Sequence, residues 1–510
     1  MINNRLQFLK KTLWVAIFTI GSRILGYFRE RMLAQFLGVC ASTDALLIAI
    51  KLPSFFRRSL AEGALSSSFV PILSSELHNK ENQSSLILTS LAFLALALAP
   101  LIFSFEIWTD SIITTLFPKL TETPTRLQLT IHFSRIIFPF IGMISLASLF
   151  SGILQSHLRF NLVASAPMMG NLSLIITGLC FLPAAEEKAG AIFAWSVLVS
   201  GCVHFLWVCI PAIRLIPRGG VVNFSSPAFQ KFIKNFFPGV IGTTSLQINI
   251  LIDTIFITLL GVGGASYLSY ADRIIQLPIS VISASLSLTL LPALTLSIAQ
   301  KEKQMFDKLF ALSISFCLIF AIPASLACLH LSAFLIRALY NYGSFSQEHI
   351  TPTAHTLMAF ALGLPAFLLS KVLSTLFFAH KDTRTPALIT LISVSICIIS
   401  NLILLKSWQH IGLALSTTIS AYVHTLCLYV IAKRRKILPN KLSKKIMLSR
   451  IIITNILFFL FIKYTGPMLV EYVYDWNRFV GICALVGFIV MVYSIIAFSC
   501  GLWGVWRKSQ

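Results

Sequence analysis

Charge is what this chain has least of. Asp, Glu, Lys and Arg make up 11% of its residues, against about 25% in soluble domains. Acid is the scarcer sign, with 18 Asp and Glu facing 40 Lys and Arg. Catalytic signatures are missing too. There is no Walker motif, no HExxH and no GxSxG, which removes P-loop nucleotide hydrolysis, zinc peptidase chemistry and the nucleophile-elbow hydrolases. Gly261-Val262-Gly263-Gly264 reads as a turn between helices and not as a phosphate loop. No pair of carboxylates is arranged as a metal-dependent transferase of the membrane face requires. The ten cysteines form no CxxC pair and, scattered through apolar stretches, read as small buried hydrophobes. The ten histidines are dispersed and suggest no metal site. Behind the first apolar run, from Leu13, there is no small-residue cleavage site, and Arg23 sits inside that run, so it is expected to stay as a membrane helix.

What is present is hydrophobic length. The 510 residues are 56% hydrophobic, with a mean hydropathy of +0.85. A helix needs about 20 mostly apolar residues to cross a bilayer, and fourteen stretches qualify: 12–38, 42–75, 85–107, 129–156, 162–184, 189–214, 234–260, 265–299, 307–331, 354–380, 385–406, 411–433, 448–470 and 478–503. Residues 332–353 form a mixed loop with room for a short interfacial helix. The formal charge of +22 would point to nucleic acid in a soluble chain, but no soluble basic domain exists to carry it, and no nucleic-acid partner is expected. That charge orients the helices instead. With the N-terminus inside, 24 Lys and Arg fall in inside loops and 7 in outside loops, Arg126 among the latter. The bias predicts both termini in the cytoplasm. The basic cluster at 433–450 lies on the same side, where it is also placed to meet anionic membrane lipids.

The chain repeats itself weakly. Lys51-Leu52-Pro53 followed by Phe69-Val70-Pro71 is echoed by Gln276-Leu277-Pro278 followed by Leu290-Leu291-Pro292, with Pro53 and Pro278 225 residues apart. Pro167 and Pro386 are 219 apart, and these marks lie on segments of like orientation. A parallel repeat of six helices is therefore expected, related by an axis along the membrane normal. The resulting architecture is all-α and integral to the membrane: 14 transmembrane helices, in two six-helix bundles forming a V-shaped parallel repeat, plus two C-terminal helices. The expected divisions are 1–214 for the first lobe, 215–233 for a cytoplasmic linker, 234–435 for the second lobe and 436–510 for the two added helices.

The chemistry lies in charges kept inside these apolar segments. They are Arg23, Arg29, Arg31, Lys51, Arg57, Arg58, Arg135, Arg273 and Lys371, with Glu30, Asp44, Glu62, Asp253 and Asp272. Each costs about 2.5–3.5 kcal/mol at a helix centre on insertion scales, so such groups face a polar cavity or a partner. A surplus of buried cations suits an anionic cargo. Arg23 and Glu30, seven apart, share a helix face, while Arg29 points elsewhere. Gly21 and Gly26 allow a close helix approach. Asp44 and Lys51 share a face; Arg58 and Glu62 have ion-pair spacing; Arg57 has no such partner on its own helix. Arg23, Arg29, Arg57 and Arg273 are thus candidates to line one cavity, and a guanidinium fork suits phosphate oxygens, a diphosphate above all. Asp253 is an isolated intramembrane carboxylate and a candidate for sodium or proton coupling, with Asn401 and Thr417 as further oxygen ligands, or else it bonds to a neighbouring arginine.

These residues resemble a known family. The stretch SRILGYFRE…TDALLIAIKLPSFFRRSLAEGALSSSFVPIL (22–73), with YADRIIQLP (270–278), YNYGSF (340–345), KDTRTP (381–386) and GLALSTTIS (412–420), resembles the MurJ/MviN family of lipid II flippases in the multidrug/oligosaccharidyl-lipid/polysaccharide exporter superfamily. The resemblance implies a transporter and not an enzyme. It implies lipid II as cargo, the undecaprenyl-diphosphate-MurNAc-pentapeptide-GlcNAc precursor of peptidoglycan, moved from the cytoplasmic to the outer leaflet of the bacterial inner membrane by alternating access. It implies that Arg23, Arg29, Asp44, Arg57 and Arg273 line the central cavity and are needed for function, that Arg58 and Glu62 belong to the same motif, and that the two added helices form a groove for the lipid tail. Many members carry Glu where this chain has Gln276, and Cys397 stands where a polar sodium ligand is expected. No cofactor is expected; drive comes from sodium, protons or the membrane potential, and the chain is expected to act as a monomer. The alternatives are a flippase for another polyprenyl-linked oligosaccharide and a membrane-embedded polyprenyl-phosphate enzyme.

Overall fold

The structure is a computed structural model that describes residues 2–181, 188–438, 445–473 and 478–501. Among the described residues it holds sixteen α-helices and no strand. The chain opens with α1 (Ile2–Phe36). The second expected span is three consecutive pieces: α2 (Ala41–Phe56), a π-helical stretch (Arg57–Leu65) and α3 (Ser66–Glu76). The third, α4 (Lys80–Leu116), is longer than expected at both ends. Asn79 starts it by accepting from the amides of Glu81 and Asn82, and the helix breaks at Trp108 (φ −104°, ψ 19°). The fourth divides into α5 (Pro124–Ile137) and α6 (Phe140–Ser156), where Pro139 has no N–H to continue the ladder. Then follow α7 (Phe160–Phe181), α8 (Ala189–Ile213), α9 (Pro227–Thr258), α10 (Gly264–Ala299), α11 (Lys303–His330) and α12 (Ser332–Tyr340), the last being the short helix anticipated in 332–353. The chain ends with α13 (Ile350–Ala379), α14 (Arg384–Arg434), α15 (Lys445–Val473) and α16 (Arg478–Ser499).

Helix α14 has 51 residues and as a straight rod would reach about 76 Å, more than twice the bilayer core. It does not run straight. Gln409 has φ 45° and ψ −126°, a reversal, and the two limbs bond to each other across it. Ser420 Oγ donates to Ser393 O at 2.7 Å, and Arg435 Nη1 reaches Asp382 Oδ2 at 2.5 Å. The element is a helical hairpin whose limbs match the expected spans 385–406 and 411–433.

Eight helices among the described residues are long and apolar enough to cross a membrane, the α14 hairpin counted as one. The chain is thus a multi-pass, all-helical membrane protein, and the expected count of fourteen is not reached on that measure. Shorter apolar helices occur at Gln247–Thr258, Leu290–Ala299 and Ala484–Ser499 among the described residues.

The helices pack as two units: Met1–Ser266 with Tyr342–Phe345, and Tyr267–Asn341 with Ser346–Gln510. The repeat assigns α9 to the second lobe, whereas its packing is in the first unit. Phe229, Phe232 and Phe236 join the core formed by Phe69, Leu86 and Ile153, and Thr243 Oγ1 donates to Ser59 O in the π-helical stretch at 2.7 Å. The expected linker, 215–233, is not a free tether. It lies along α4, whose Ser84 and Ser85 hydroxyls donate to Pro217 O and Val221 O, and α9 already begins at Pro227.

In the second unit α13 is the central helix. Pro365 removes one donor from it and leaves the carbonyl of Ala361 without its helical partner. Ser325 Oγ on α11 donates to that carbonyl at 2.6 Å, and Tyr422 on α14 donates to Leu362 O at 2.9 Å. A proline is tolerated deep in such a bundle because hydroxyls of neighbouring helices satisfy the freed backbone groups. The added helices α15 and α16 pack on one another and on Leu331 through Ile451, Phe458, Ile462 and Ile489. Of the expected 436–510 segment, 439–444, 474–477 and 502–510 lie outside the described residues.

Candidate functional site

Within the first unit the arginines of α1 are arranged by α7. Gly26 leaves room for Asn171, whose amide nitrogen lies 3.8 Å from where a Cβ would stand. Asn171 Nδ2 donates to Ser22 O at 3.0 Å, while its Oδ1 accepts from Arg29 Nη1 at 3.4 Å. One asparagine thus holds both the α1 backbone and a guanidinium. The pairing differs from the helix-face reading. Glu30, which is buried, takes its neighbour Arg29 at 2.7 Å. Arg23 is exposed on the unit and Arg29 half-buried. Arg31 is turned to an aromatic partner, its guanidinium 4.2 Å from the ring centre of Tyr342.

Arg57 and Arg58 sit at the entry to the π-helical stretch. Stretches of this kind are frequent at functional sites. Arg57 is half-buried and Arg58 exposed. His204 of α8 lies within electrostatic reach of Arg57, and its side chain borders Gly170, the residue before Asn171 on α7. Adjacent positions of one small-residue helix thus touch the surroundings of both Arg29 and Arg57. The side chain of Glu62 lies outside the described residues. Arg135, counted among the intramembrane cations, pairs with Asp110 of α4 at 3.0 Å, both groups being exposed.

Asp44 is placed differently from the arginines. It is fully buried, with 0% of its side chain exposed. Its Oδ2 accepts from Gly263 N at 2.8 Å, and its Oδ1 accepts from Ser266 N at 2.9 Å and Ser266 Oγ at 2.7 Å. The carboxylate thereby caps the N-terminus of α10 from another helix, where free amides and the helix dipole favour an anion. Opposite it lies Arg126, 2% exposed and 3.6 Å from Asp44 Oδ2, donating through Nη1 to Leu260 O at 2.8 Å. The reading of Arg126 as an outside-loop cation is corrected: it is a buried residue in the first turn of α5. Charge counting along the chain locates a residue between spans but cannot see that it turns inward onto a partner.

In the second unit, Asp272 and Arg273 on α10 are half-buried and both have partners. Gln276 Nε2 donates to Asp272 Oδ2 at 2.9 Å, one helical turn away. A glutamate here would set like charges at i,i+4. Of the candidate coupling residues, Asp253 is half-buried in the first unit and has a partner. Asn401 and Thr417 belong to the second. Thr417 Oγ1 donates to Leu413 O at 3.0 Å, and Asn401 Nδ2 points to Cys397 Sγ at 3.8 Å, leaving a buried Asn401 Oδ1 with no donor among the described residues. No cluster of three His, Cys, Asp or Glu suited to a metal occurs among the described residues.

Comparison with known proteins puts this arrangement in context. The family model described as "Lipid II flippase MurJ" matches residues 33–484. A curated relative, the "Probable lipid II flippase MurJ" of Buchnera aphidicola subsp. Schizaphis graminum, is 31% identical over 471 residues, covering 91% of each chain. A solved structure described as "Lipid II flippase MurJ, inward closed conformation" superposes with a TM-score of 0.77 at 26% identity, covering 95% of this chain and 98% of that one. An inward-facing multidrug resistance MATE family transporter of the MOP superfamily shares the fold, with a TM-score of 0.66 at 16% identity over 81% of this chain and 94% of that one.

Proposed function

Because the chain belongs to the lipid II flippase MurJ family, we propose that it carries lipid II from the cytoplasmic to the outer leaflet of the bacterial inner membrane for peptidoglycan synthesis. It is a transporter and not an enzyme. The observation that carries the reading is the family match across 33–484, and the arginine arrangement on α1 and the π-helical stretch supports it. Arg23, Arg29, Arg57 and Arg58 take the diphosphate, and Arg273 is a further cargo arginine. Guanidinium forks bind phosphate oxygens in bidentate fashion and stay charged throughout. Asn171 keeps Arg29 in place while Arg23 stays open to the cargo. The chain crosses the membrane fourteen times with both termini in the cytoplasm, as the bias of Lys and Arg toward the inside loops favours. The protein alternates access as a monomer, and α15 and α16 accommodate the lipid tail. Drive comes from the membrane potential, worth ~2.3 kcal/mol per charge per 100 mV, acting on the emptied cationic site.

The test is depletion of the resident flippase, replacement by this chain, and leaflet-resolved labelling of lipid II. Wild-type chain restores labelling at the outer leaflet, and the Arg23→Ala, Arg57→Ala and Arg273→Ala variants do not. Unchanged outer-leaflet labelling in the triple variant removes these arginines from the cargo site, and failure of the wild-type chain removes the cargo.

A further inference from the structure

The turn between α9 and α10 has little to stiffen it. It reads Leu259-Leu260-Gly261-Val262-Gly263-Gly264, and Gly263 has φ 92°. Its conformation is imposed from outside by two opposite charges, one at each helix end. Asp44 takes the free amides at the start of α10, and Arg126 takes the carbonyl of Leu260 just past the end of α9. Each sign matches the dipole it meets, anion at an N-terminus and cation at a C-terminus. The two groups are themselves 3.6 Å apart and shielded from solvent. Nε and Nη2 of Arg126 have no hydrogen-bond partner among the described residues, so its tie to Asp44 rests on charge.

We infer that Arg126 is a positioning residue for transport: it neutralises Asp44 and, with it, holds the α9–α10 turn and so the start of the helix that carries Arg273. This rests on the transport reading above. It touches no cargo and acts through Asp44. A buried pair of this kind is worth little against an apolar replacement of both partners, but removing one partner strands an uncompensated charge. Loss of Arg126 therefore frees the turn by repelling the carboxylate from its seat toward water, whereas loss of both charges relaxes it only to the state reached without Asp44.

Four variants test this: Arg126→Met, Arg126→Lys, Asp44→Asn and the double Asp44→Asn/Arg126→Met, assayed by leaflet-resolved lipid II labelling and, on the purified full chain, by hydrogen exchange at the Gly263 and Ser266 amides. Arg126→Met slows flipping about tenfold and speeds exchange at those two amides about tenfold. Arg126→Lys, which keeps the charge but not the fork, recovers flipping to within about threefold of wild type. The double variant flips no more slowly than Asp44→Asn alone. The inference is overturned if Arg126→Met flips at the wild-type rate, if Arg126→Lys is as slow as Arg126→Met, or if the double variant shows the product of both defects. Where Arg126→Met fails to accumulate in the membrane, the comparison of Asp44→Asn with the double variant decides. Should the wild-type chain not flip lipid II, the functional reading falls, and the exchange measurement still judges the clasp: unaltered exchange in Arg126→Met ends it.

Discussion

Single residues in this protein do chemistry that sequence spacing only half announces. The intramembrane arginines were legible because guanidinium groups in apolar runs are expensive and stand out. Their partners were not, since Asn171 lies 142 residues from Arg29, and Ser266 lies 222 residues from Asp44. Helix-face arithmetic paired Arg23 with Glu30, yet Glu30 takes its neighbour Arg29, because long side chains can bend back where Asn171 anchors one of them. Gln276 offers a clean residue-scale test. Its amide donates to Asp272; Gln276→Glu replaces that bond by repulsion at i,i+4, worth about 0.2–0.5 kcal/mol. Thermal unfolding of the purified variant should show a small loss of stability that disappears in an Asp272→Asn background. A loss equal in both backgrounds would mean that repulsion is not the cause.

At the scale of elements, hydrophobic length located the long helices, while short helices, breaks and reversals within them were harder to read. The hairpin in α14 reverses at Gln409, in the gap between the expected spans 385–406 and 411–433, and the split between α5 and α6 follows Pro139. Two predictions belong here. Ser325→Ala leaves the Ala361 carbonyl buried without a donor and should cost about 1–3 kcal/mol. Adding Pro365→Ala, which returns an N–H to α13, should recover much of it, as judged by unfolding in detergent. An undiminished loss in the double variant would show that the hydroxyl is not serving the carbonyl that the proline frees. The second concerns the ends of the α14 hairpin. The Thr385 hydroxyl, then the Thr385 amide and Arg435, hold the Asp382 carboxyl below the ordinary carboxylate range. With the folded value under the unfolded one, the contact adds stability above the unfolded value of about 3.9 and loses it as pH falls through the folded value. Wild-type protein should therefore lose stability on acidification below about pH 4, and Asp382→Asn should lack that component. Parallel curves for the two proteins would refute it.

For the molecule as a whole, the loop-charge asymmetry and the internal repeat were readable in the chain. Orientation can be tested directly. A membrane-impermeant maleimide should label Val262→Cys, on the α9–α10 turn, in intact cells, and Ser225→Cys only after permeabilisation; the reverse pattern would invert the topology. The division into packing units was less legible, because α9 is joined to the first unit by aromatic contacts that no repeat records. Nor could the sequence reveal that Tyr342–Phe345 packs in the first unit although both its flanks belong to the second. There, Ser344 N donates to Gln35 O at 2.9 Å, and a Cβ on Gly38 or Gly343 would meet backbone oxygen at 2.2 Å. A fragment expressed only as far as Ser266 would therefore end its first helix on an uncovered carbonyl and leave Arg31 without its aromatic ring. Halves of the gene co-expressed as two polypeptides would still need Tyr342–Phe345 of the second to complete the packing of the first unit.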